Sequence, residues 1–251
     1  MPQQTERGRV RVEPSPKRVR VYFGGQVIAD TLHPMLVWEI PYFPAYYFPV
    51  EDVRTDLLTP SGNTSHSPSR GDGRLYTIKA GDREAVDAAM RYEDSPIPEL
   101  RDLVRFEWEA MDAWFEEDEE IIVHPRDPHS RVDILQSSRH VRIEIDGVTV
   151  AETDSPRLLF ETGLPTRYYL PKTAVRLDLL EPSDTVSRCP YKGQTVHWKA
   201  KVGGETKDVA WSYPAPLPES QKIIGMVAFY DERVDTFVDG VKQDRPKTPW
   251  D

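Results

Sequence analysis

The segment from Ser187 to Gly193 holds the residues of this sequence that are best suited to chemistry. It reads Ser-Arg-Cys-Pro-Tyr-Lys-Gly and includes Cys189, the single cysteine of the 251 residues. A thiol beside Lys192 and Arg188 could ionise and act as a nucleophile. A lone cysteine is also a common small buried apolar residue. Both interpretations stay open at this point.

Aromatic residues with polar edges surround this segment in the second half of the chain. Tyr and Trp bury a large apolar surface but need a partner for their O–H or N–H group, so they often line a cavity wall. Such a wall suits a flat or apolar ligand, although the same residues also serve as the core of a small barrel. The residues predicted to line a ligand pocket are Tyr169, Tyr191, Trp198, Trp211 and Tyr213.

Three charged residues in the same half are candidates to orient such a ligand, namely Glu161, Arg176 and Lys192. Glu161 could also act as a general acid or base, which requires a shifted pKa that a sequence does not show. A Glu facing an Arg inside a small domain often forms a structural pair instead. Glu161 and Cys189 are therefore the candidate catalytic residues, with a purely structural role as the alternative.

Other signals narrow the classes of function. The six His residues have no Cys or carboxylate partners at metal-ligand spacing, so no metal site is predicted. Neither a phosphate-binding loop, nor a dinucleotide fingerprint, nor a nucleophile elbow occurs. The cofactor is unknown. A net charge of −10 disfavours binding to nucleic acid or to an anionic membrane.

The compartment follows from similar arguments. No run of eighteen apolar residues occurs that could span a bilayer, and the first residues lack the apolar core of a signal peptide. One cysteine permits no intrachain disulfide, so an oxidising compartment is not indicated. A soluble cytoplasmic protein is expected.

An internal repeat determines the organisation of the chain. Residues 19–71 align with residues 141–193 at a constant shift of 122 positions, and 21 of the 53 aligned pairs are identical. Chance would give about 3. The Ser, Pro, basic and Gly frame of the Cys189 segment recurs at residues 65–71, but Cys189 and Tyr191 are replaced by serines. The reactive side chains are therefore expected in the second copy.

The repeat also predicts the fold. Gly24-Gly25 and its counterpart Asp146-Gly147 predict hairpin turns, because both central residues of a type I′ turn need a positive φ. Short strands separated by Pro and Gly turns predict a mainly β protein with little helix. We expect two tandem, pseudo-symmetric antiparallel β domains, each a curled sheet or a small barrel.

Two stretches qualify this prediction. The Ala-rich residues 81–92 predict a short helix unique to the first copy. Residues 100–115 also have helical spacing, but the second copy alternates over residues 225–230, so strands with a helical turn near 109–112 are predicted. The alignment behind this choice matches Phe106 to Phe229, Asp112 to Asp235 and Trp114 to Phe237.

Domain boundaries follow from composition and from the repeat. Residues 1–17 are predicted to be a flexible arm and residues 18–123 the first module, degenerate in its reactive residues. Residues 124–139 are predicted to connect it to the second module at residues 140–251.

The second module resembles a known family. The resemblance is carried by Tyr168-Tyr169-Leu170-Pro171, Cys189-Pro190-Tyr191-Lys192-Gly193 and Ala210-Trp211-Ser212-Tyr213-Pro214. These strings are similar to the domain-of-unknown-function family DUF427, which implies a small, mostly β domain. The family also carries a nucleotidyltransferase-like label. The paired Asp metal ligands and the Gly-Ser motif of such transferases do not occur here.

Two hypotheses of function follow. In the first, the protein binds a small molecule, with or without catalysis, in an aromatic pocket of the second module or at its seam with the first. In the second, it is a non-catalytic interaction module that presents an acidic surface around Glu116–Glu120 to a basic protein partner. The sequence does not predict the oligomeric state.

Overall fold

The computed structural model describes residues 10–203 and 207–248 of the chain. They divide into two compact units, the first ending at Asp127 and the second beginning at Pro128. Within these ranges both units consist of antiparallel strands and short 3-10 helices, without an α-helix or a closed barrel. The mainly β fold in two tandem copies is therefore confirmed.

The first unit contains eleven strands in two sheets. They are β1 (Arg11–Pro14), β2 (Val19–Phe23), β3 (Gln26–Thr31), β4 (Met35–Trp38), β5 (Ala45–Pro49), β6 (Leu58–Ser67), β7 (Gly71–Ala80), β8 (Arg83–Arg91), β9 (Leu103–Phe106), β10 (Ala113–Glu116) and β11 (Glu119–Ile121). The larger sheet has the order β1-β4-β5-β9-β8-β7-β6, and the smaller has the order β11-β10-β2-β3. The 3-10 helices are Val50–Asp52, Thr55–Leu57, Pro98–Leu100 and Trp108–Ala110.

The second unit repeats this plan. Its strands are β12 (Val132–Gln136), β13 (Val141–Ile145), β14 (Val148–Thr153), β15 (Arg157–Glu161), β16 (Arg167–Pro171), β17 (Leu180–Ser183), β18 (Arg188–Cys189), β19 (Gly193–Gln194), β20 (Val196–Ala200), β21 (Asp208–Ser212), β22 (Met226–Phe229), β23 (Asp235–Val238) and β24 (Val241–Lys242). The sheets have the orders β12-β15-β16-β22-β21-β20-β17 and β14-β13-β23-β24, and β18 pairs with β19. The 3-10 helices are Lys172–Ala174, Leu177–Leu179 and Pro218–Ile223.

Alternation of side chains gives each seven-stranded sheet two different faces. In the second unit, the inner face packs against the four-stranded sheet, so that Leu170 and Val227 share the main core with Val141. The outer face, on the other side, carries a second cluster that includes Tyr169 and Trp211. The 3-10 helix Pro218–Ile223 packs onto this outer face through Ile223. Burial on both faces explains why two adjacent tyrosines, Tyr168 and Tyr169, belong to different clusters.

The predicted hairpin turns are confirmed. Gly24 and Gly25 have φ of 58° and 74°, and Asp146 and Gly147 have φ of 47° and 77°. These positive values are those that a type I′ turn needs. The turns connect β2 to β3 and β13 to β14.

The helix predicted over residues 81–92 is wrong, because this stretch forms β8 between β7 and β9. Ala88 and Ala89 are each 2% exposed within the sheet. Asp87 has a φ of 57°, which a right-handed helix cannot contain. Tertiary pairing on both sides outweighs the modest helix propensity of the alanines.

The segment at residues 100–115 is confirmed as two strands around a helical turn, here the 3-10 helix Trp108–Ala110. The predicted alignment is wrong by one position after that turn. Trp114 pairs with Val21, whereas Ile143, the counterpart of Val21, pairs with Thr236. Trp114 therefore corresponds to Thr236 and not to Phe237, and the first unit has one extra residue before β10.

Two of the predicted connecting segments contain strands of the adjoining units. β1 lies within the predicted arm and pairs with β4, while residues 1–9 lie outside the described part. β12 lies within the predicted connection and pairs with β15. No helix within the described ranges has the length and apolar character needed to cross a membrane.

Three prolines lie in the outermost strands of the larger sheets, whereas Pro49 and Pro171 end the interior strands β5 and β16. Pro14 is in β1, Pro60 is in β6 and Pro182 is in β17, and each of these strands lies at a sheet edge. Proline has no N–H group for a sheet ladder, so edge positions accommodate it best.

Candidate functional site

Polar and aromatic side chains gather on the outer face of the larger sheet in the second unit. β15 ends in Glu161, β16 presents Tyr169 and β21 presents Trp211 on this face. The segment Ser187–Gly193, which contains β18, contacts them, since Cys189 packs against the aromatic cluster. We call the group the outer cluster, and its members are Glu161, Tyr169, Cys189, Lys192, Trp211 and Tyr213.

A nearly buried ion pair joins the segment to the sheet. Lys192 Nζ lies 2.5 Å from Glu161 Oε2, and the two side chains are 9% and 12% exposed. Burial alone lowers the pKa of Lys192, but the attraction of Cys189 and Glu161 and hydrogen bonds to both side chains outweigh it and raise that pKa. Lys192 is therefore a fixed positive charge rather than an amine nucleophile.

The aromatic members form a hydrogen-bonded wall beside this pair. Trp211 Nε1 donates to the Tyr169 hydroxyl at 3.1 Å, and the two rings meet edge to face at 88°. Burial raises the pKa of Tyr213 well above its ordinary value, and it also raises that of Tyr169. Both phenols therefore stay protonated and can act as hydrogen-bonding groups rather than bases.

Gly193 fixes the conformation of the segment that carries Cys189 and Lys192. Its φ is 100°, and a Cβ there would lie 3.3 Å from the Ala215 carbonyl oxygen. The Leu217 N–H donates to the Lys192 carbonyl at 3.2 Å and holds the next part of the chain close. Gly71, the counterpart in the first unit, has a φ of 87°. The turn is thus common to both units, whereas its side chains are not.

The structure places the other predicted site residues separately. Trp198 lies on the inner face, where Lys172 Nζ is 5.6 Å from its ring centroid. Arg176 is 59% exposed and pairs with Asp178 at 2.7 Å. Tyr191 lies within the segment, and its carbonyl accepts a hydrogen bond from Ser220 Oγ at 3.0 Å. Trp198 and Arg176 are thus not brought together with the outer cluster.

Sequence reasoning missed His197, which extends the outer cluster. His197 Nε2 lies 2.7 Å from Thr195 Oγ1 and 3.2 Å from Ser187 Oγ, and its Nδ1 lies 3.4 Å from the Tyr230 hydroxyl. Burial lowers the pKa of His197, so the ring is neutral near pH 7. Strand alternation could have found it, because the residue next to Trp198 must lie on the opposite face.

The first unit builds the equivalent place differently. Glu39, the counterpart of Glu161, accepts the Tyr47 hydroxyl at 2.5 Å and pairs with Arg105 at 3.1 Å. Arg105 lies opposite Tyr47 in the strand register, and Ala228 holds the equivalent position opposite Tyr169 in the second unit. The arginine of this pair therefore belongs to the sheet itself. The first unit thus pairs its glutamate with an arginine of the sheet, and Arg70, the counterpart of Lys192, attracts the same carboxylate.

The acidic run around Glu116–Glu120 is partly neutralised inside the first unit. Glu116 pairs with Lys17, and its other carboxylate oxygen accepts the Tyr46 hydroxyl at 2.8 Å. Asp118 pairs with Arg20 at 2.8 Å. In the part of the chain that the structure describes, no three His, Cys, Asp or Glu side chains are grouped to hold a metal ion.

Comparison with known proteins agrees with this two-unit architecture. The model of the family described as Domain of unknown function (DUF427) matches residues 11–117 and residues 133–240, one match in each unit. No curated protein matches the chain. The resemblance carried by the Cys189 and Trp211 strings is thereby confirmed, and the chain belongs to the DUF427 family as a protein with two tandem copies of its domain.

Proposed function

We propose that the second unit binds a small molecule over the outer cluster. The aromatic wall of Tyr169 and Trp211 suits a flat or apolar portion of the ligand. The ion pair of Lys192 with Glu161 suits a polar group at its edge, because each partner can exchange one hydrogen bond within the pair for one to a ligand.

The observation that carries this proposal is the nearly buried ion pair in contact with a thiol. Burying two charges costs several kcal/mol of desolvation each, and a well-packed apolar pair often stabilises a fold equally well. The first unit forms the same turn and the same sheet with Ser67 in place of Cys189 and Met90 in place of Trp211. The first unit keeps a glutamate–arginine pair at this place, so the fold does not require the thiol or the indole that accompany the pair in the second unit. We infer that a ligand accounts for these two groups.

Specific roles follow for the members of the cluster. Lys192 supplies a fixed positive charge for an anionic or carbonyl oxygen of the ligand. Glu161 accepts hydrogen bonds and is the group placed to move a proton. Cys189 packs against the aromatic wall and is the group placed to act as a nucleophile if the bound molecule reacts. Binding requires only the first two roles, so binding is the function we propose.

Native mass spectrometry of the full chain, purified without a denaturing step, tests this proposal. We expect a bound small molecule that is lost on Trp211→Met, which introduces the residue of the first unit, and on Glu161→Gln. The matched control is Met90→Leu at the equivalent position of the first unit, which should retain the molecule. Melting temperatures of all variants separate lost binding from lost folding.

Two results would contradict the proposal. One is that the bound molecule persists in both cluster variants. The other is that no molecule is bound and no compound of a metabolite collection raises the melting temperature of the unmodified chain in a manner that depends on Trp211.

A further inference from the structure

A cavity of about 210 Å³ in the second unit lies outside the outer cluster. It opens between the start of β16, the turn after β22, the strand β23 and the segment that follows β24. Thr166, Tyr168 and Asp231 line it, together with Thr236 and Asp244. Asp231 and Thr236 are 7% and 3% exposed, so the polar lining reaches well into the unit.

The first unit fills the equivalent space with two stacked indoles. The rings of Trp108 and Trp114 lie 4.4 Å apart and are inclined by 7°. Trp114 corresponds to Thr236 through the strand register. Trp108 corresponds to Asp231, because the residues before them, Glu107 and Tyr230, make equivalent backbone hydrogen bonds to the neighbouring strand.

The second unit therefore has an aspartate and a threonine where the first has two tryptophans. The Thr236 hydroxyl donates to Asp231 Oδ1 at 2.6 Å, and Arg167 Nη1 donates to Asp231 Oδ2 at 3.1 Å. Arg167 is also bound by Glu232 at 3.0 Å. The residue that corresponds to Arg167 in the first unit is Ala45. Three substitutions thus work together to create a small, polar space around a carboxylate.

The charge of the lining indicates the class of ligand. Asp231 and Asp244 contribute carboxylates, and Thr166, Tyr168 and Thr236 contribute hydroxyl groups. The lining residues include no lysine or arginine, since Arg167 lies behind Asp231 and is neutralised by it and by Glu232. Each carboxylate oxygen of Asp231 accepts one of these hydrogen bonds and has a lone pair left. Burial raises the pKa of Asp231, so a bound cation would relieve an unfavourable setting for the ionised carboxylate.

We propose that this cavity binds a small organic cation, with a primary ammonium or guanidinium group seated against Asp231 and Asp244. The volume is below the range of about 300–1,000 Å³ that holds drug-sized ligands, so the ligand is a small molecule of a few polar groups. This inference concerns a site separate from the outer cluster and holds whether or not the proposed function does.

Calorimetric titration of the full chain with agmatine and putrescine tests the proposal, because these probes carry the two cationic groups. We expect one binding site per chain. Affinity should fall about tenfold or more in Asp244→Asn, which removes an exposed carboxylate, and in Thr236→Val, which keeps the shape of the side chain. Glu119→Gln in the first unit removes one negative charge elsewhere and is the matched control, with affinity expected to stay unchanged.

Each other outcome would overturn the inference. Equal binding to the unmodified chain and to both cavity variants would assign the cations to general surface charge. Equal or tighter binding of a neutral polyol of similar size, such as erythritol, would exclude the cationic class. Absence of any titration signal at millimolar probe, together with an unchanged melting temperature, would exclude the site. The Glu161→Gln variant of the outer cluster should bind both probes normally, so failure at the outer cluster is distinguished from failure here.

Discussion

The two units have the same strand plan but fill two places in it with different side chains. Beneath the Gly71 turn, the first unit pairs Glu39 with an arginine of its own sheet, and its core includes the stacked Trp108 and Trp114. At the first place, the second unit pairs Glu161 with Lys192 of the segment that contains Cys189. At the second place, it has Asp231 and Thr236 instead of the two tryptophans. The sandwich core thus tolerates costly polar groups when the rest of the unit is well packed. The polar content of the second unit agrees with the binding that we propose for it.

The largest effect is expected from Trp114→Thr, which introduces into the first unit the residue found at the equivalent position of the second unit, Thr236. Trp114 is 4% exposed, and its Nε1 donates to the Trp108 carbonyl at 3.2 Å. We expect a loss of about 3–5 kcal/mol in the free energy of unfolding, because a large buried side chain is removed. Urea titration measures it, with Val86→Thr at an exposed position of the first unit as the control. A loss below about 1 kcal/mol would show that the stack does not support the first unit.

A second test concerns the Glu161–Lys192 pair. Lys192→Met leaves the carboxylate of Glu161 nearly buried without its cation, so we expect a loss of about 3 kcal/mol in the free energy of unfolding. The double variant Lys192→Met with Glu161→Leu should recover most of this loss, since no charge remains. Thermal and urea unfolding measure both. A double variant as unstable as the single one would mean that the pair itself is needed by the fold.

A smaller effect is expected from pH. Burial lowers the pKa of His197 in the folded chain below its ordinary value of 6.5. The unfolded chain therefore binds the proton first, and stability falls as the pH drops through about 6.5 toward the folded pKa. His197→Leu, which introduces the Leu75 of the first unit, should flatten this dependence between pH 7.5 and 5.5. His66→Gln at an exposed site is the control, and an unaltered slope in His197→Leu would refute the assignment.

The smallest expected effect is at Arg176. Arg176→Ala removes a surface pair with Asp178 that the first unit duplicates as Arg54 with Asp56. Solvent screens such pairs, so we expect no measurable change in melting temperature. Ligand binding to the second unit should also be unchanged. A loss of binding in this variant would place the ligand elsewhere than over the outer cluster.

The fold was largely predictable because a pattern that is ambiguous in one copy is often clear at the equivalent positions of the other copy. Asp146-Gly147 supports the turn at Gly24-Gly25, and the alternation in the second copy identified β9 as a strand. The failure at residues 81–92 has a physical reason, since Ala88 and Ala89 carry a helix propensity that only their pairing with two strands overrides. The sequence of residues 81–92 alone does not show that this stretch pairs with two other strands.

The candidate site was predictable in part for the same reason. Glu161, Cys189 and Lys192 belong to a frame that recurs, so comparison of the copies found them. Asp231 and Thr236 were missed because they lie where the copies differ, and a one-residue shift hid the correspondence of Thr236 to Trp114. Trp198 was assigned to the pocket because neighbouring residues were grouped without regard to the two faces of a strand.

The prolines of the edge strands have a consequence for the protein in concentrated solution. Each seven-stranded sheet ends in strands that another copy of the chain could extend by intermolecular hydrogen bonding. Pro60 and Pro182 each remove one backbone donor from such an exposed ladder. They therefore act against end-to-end polymerisation through β6 and β17, which a protein with open sheet edges would otherwise risk at every encounter.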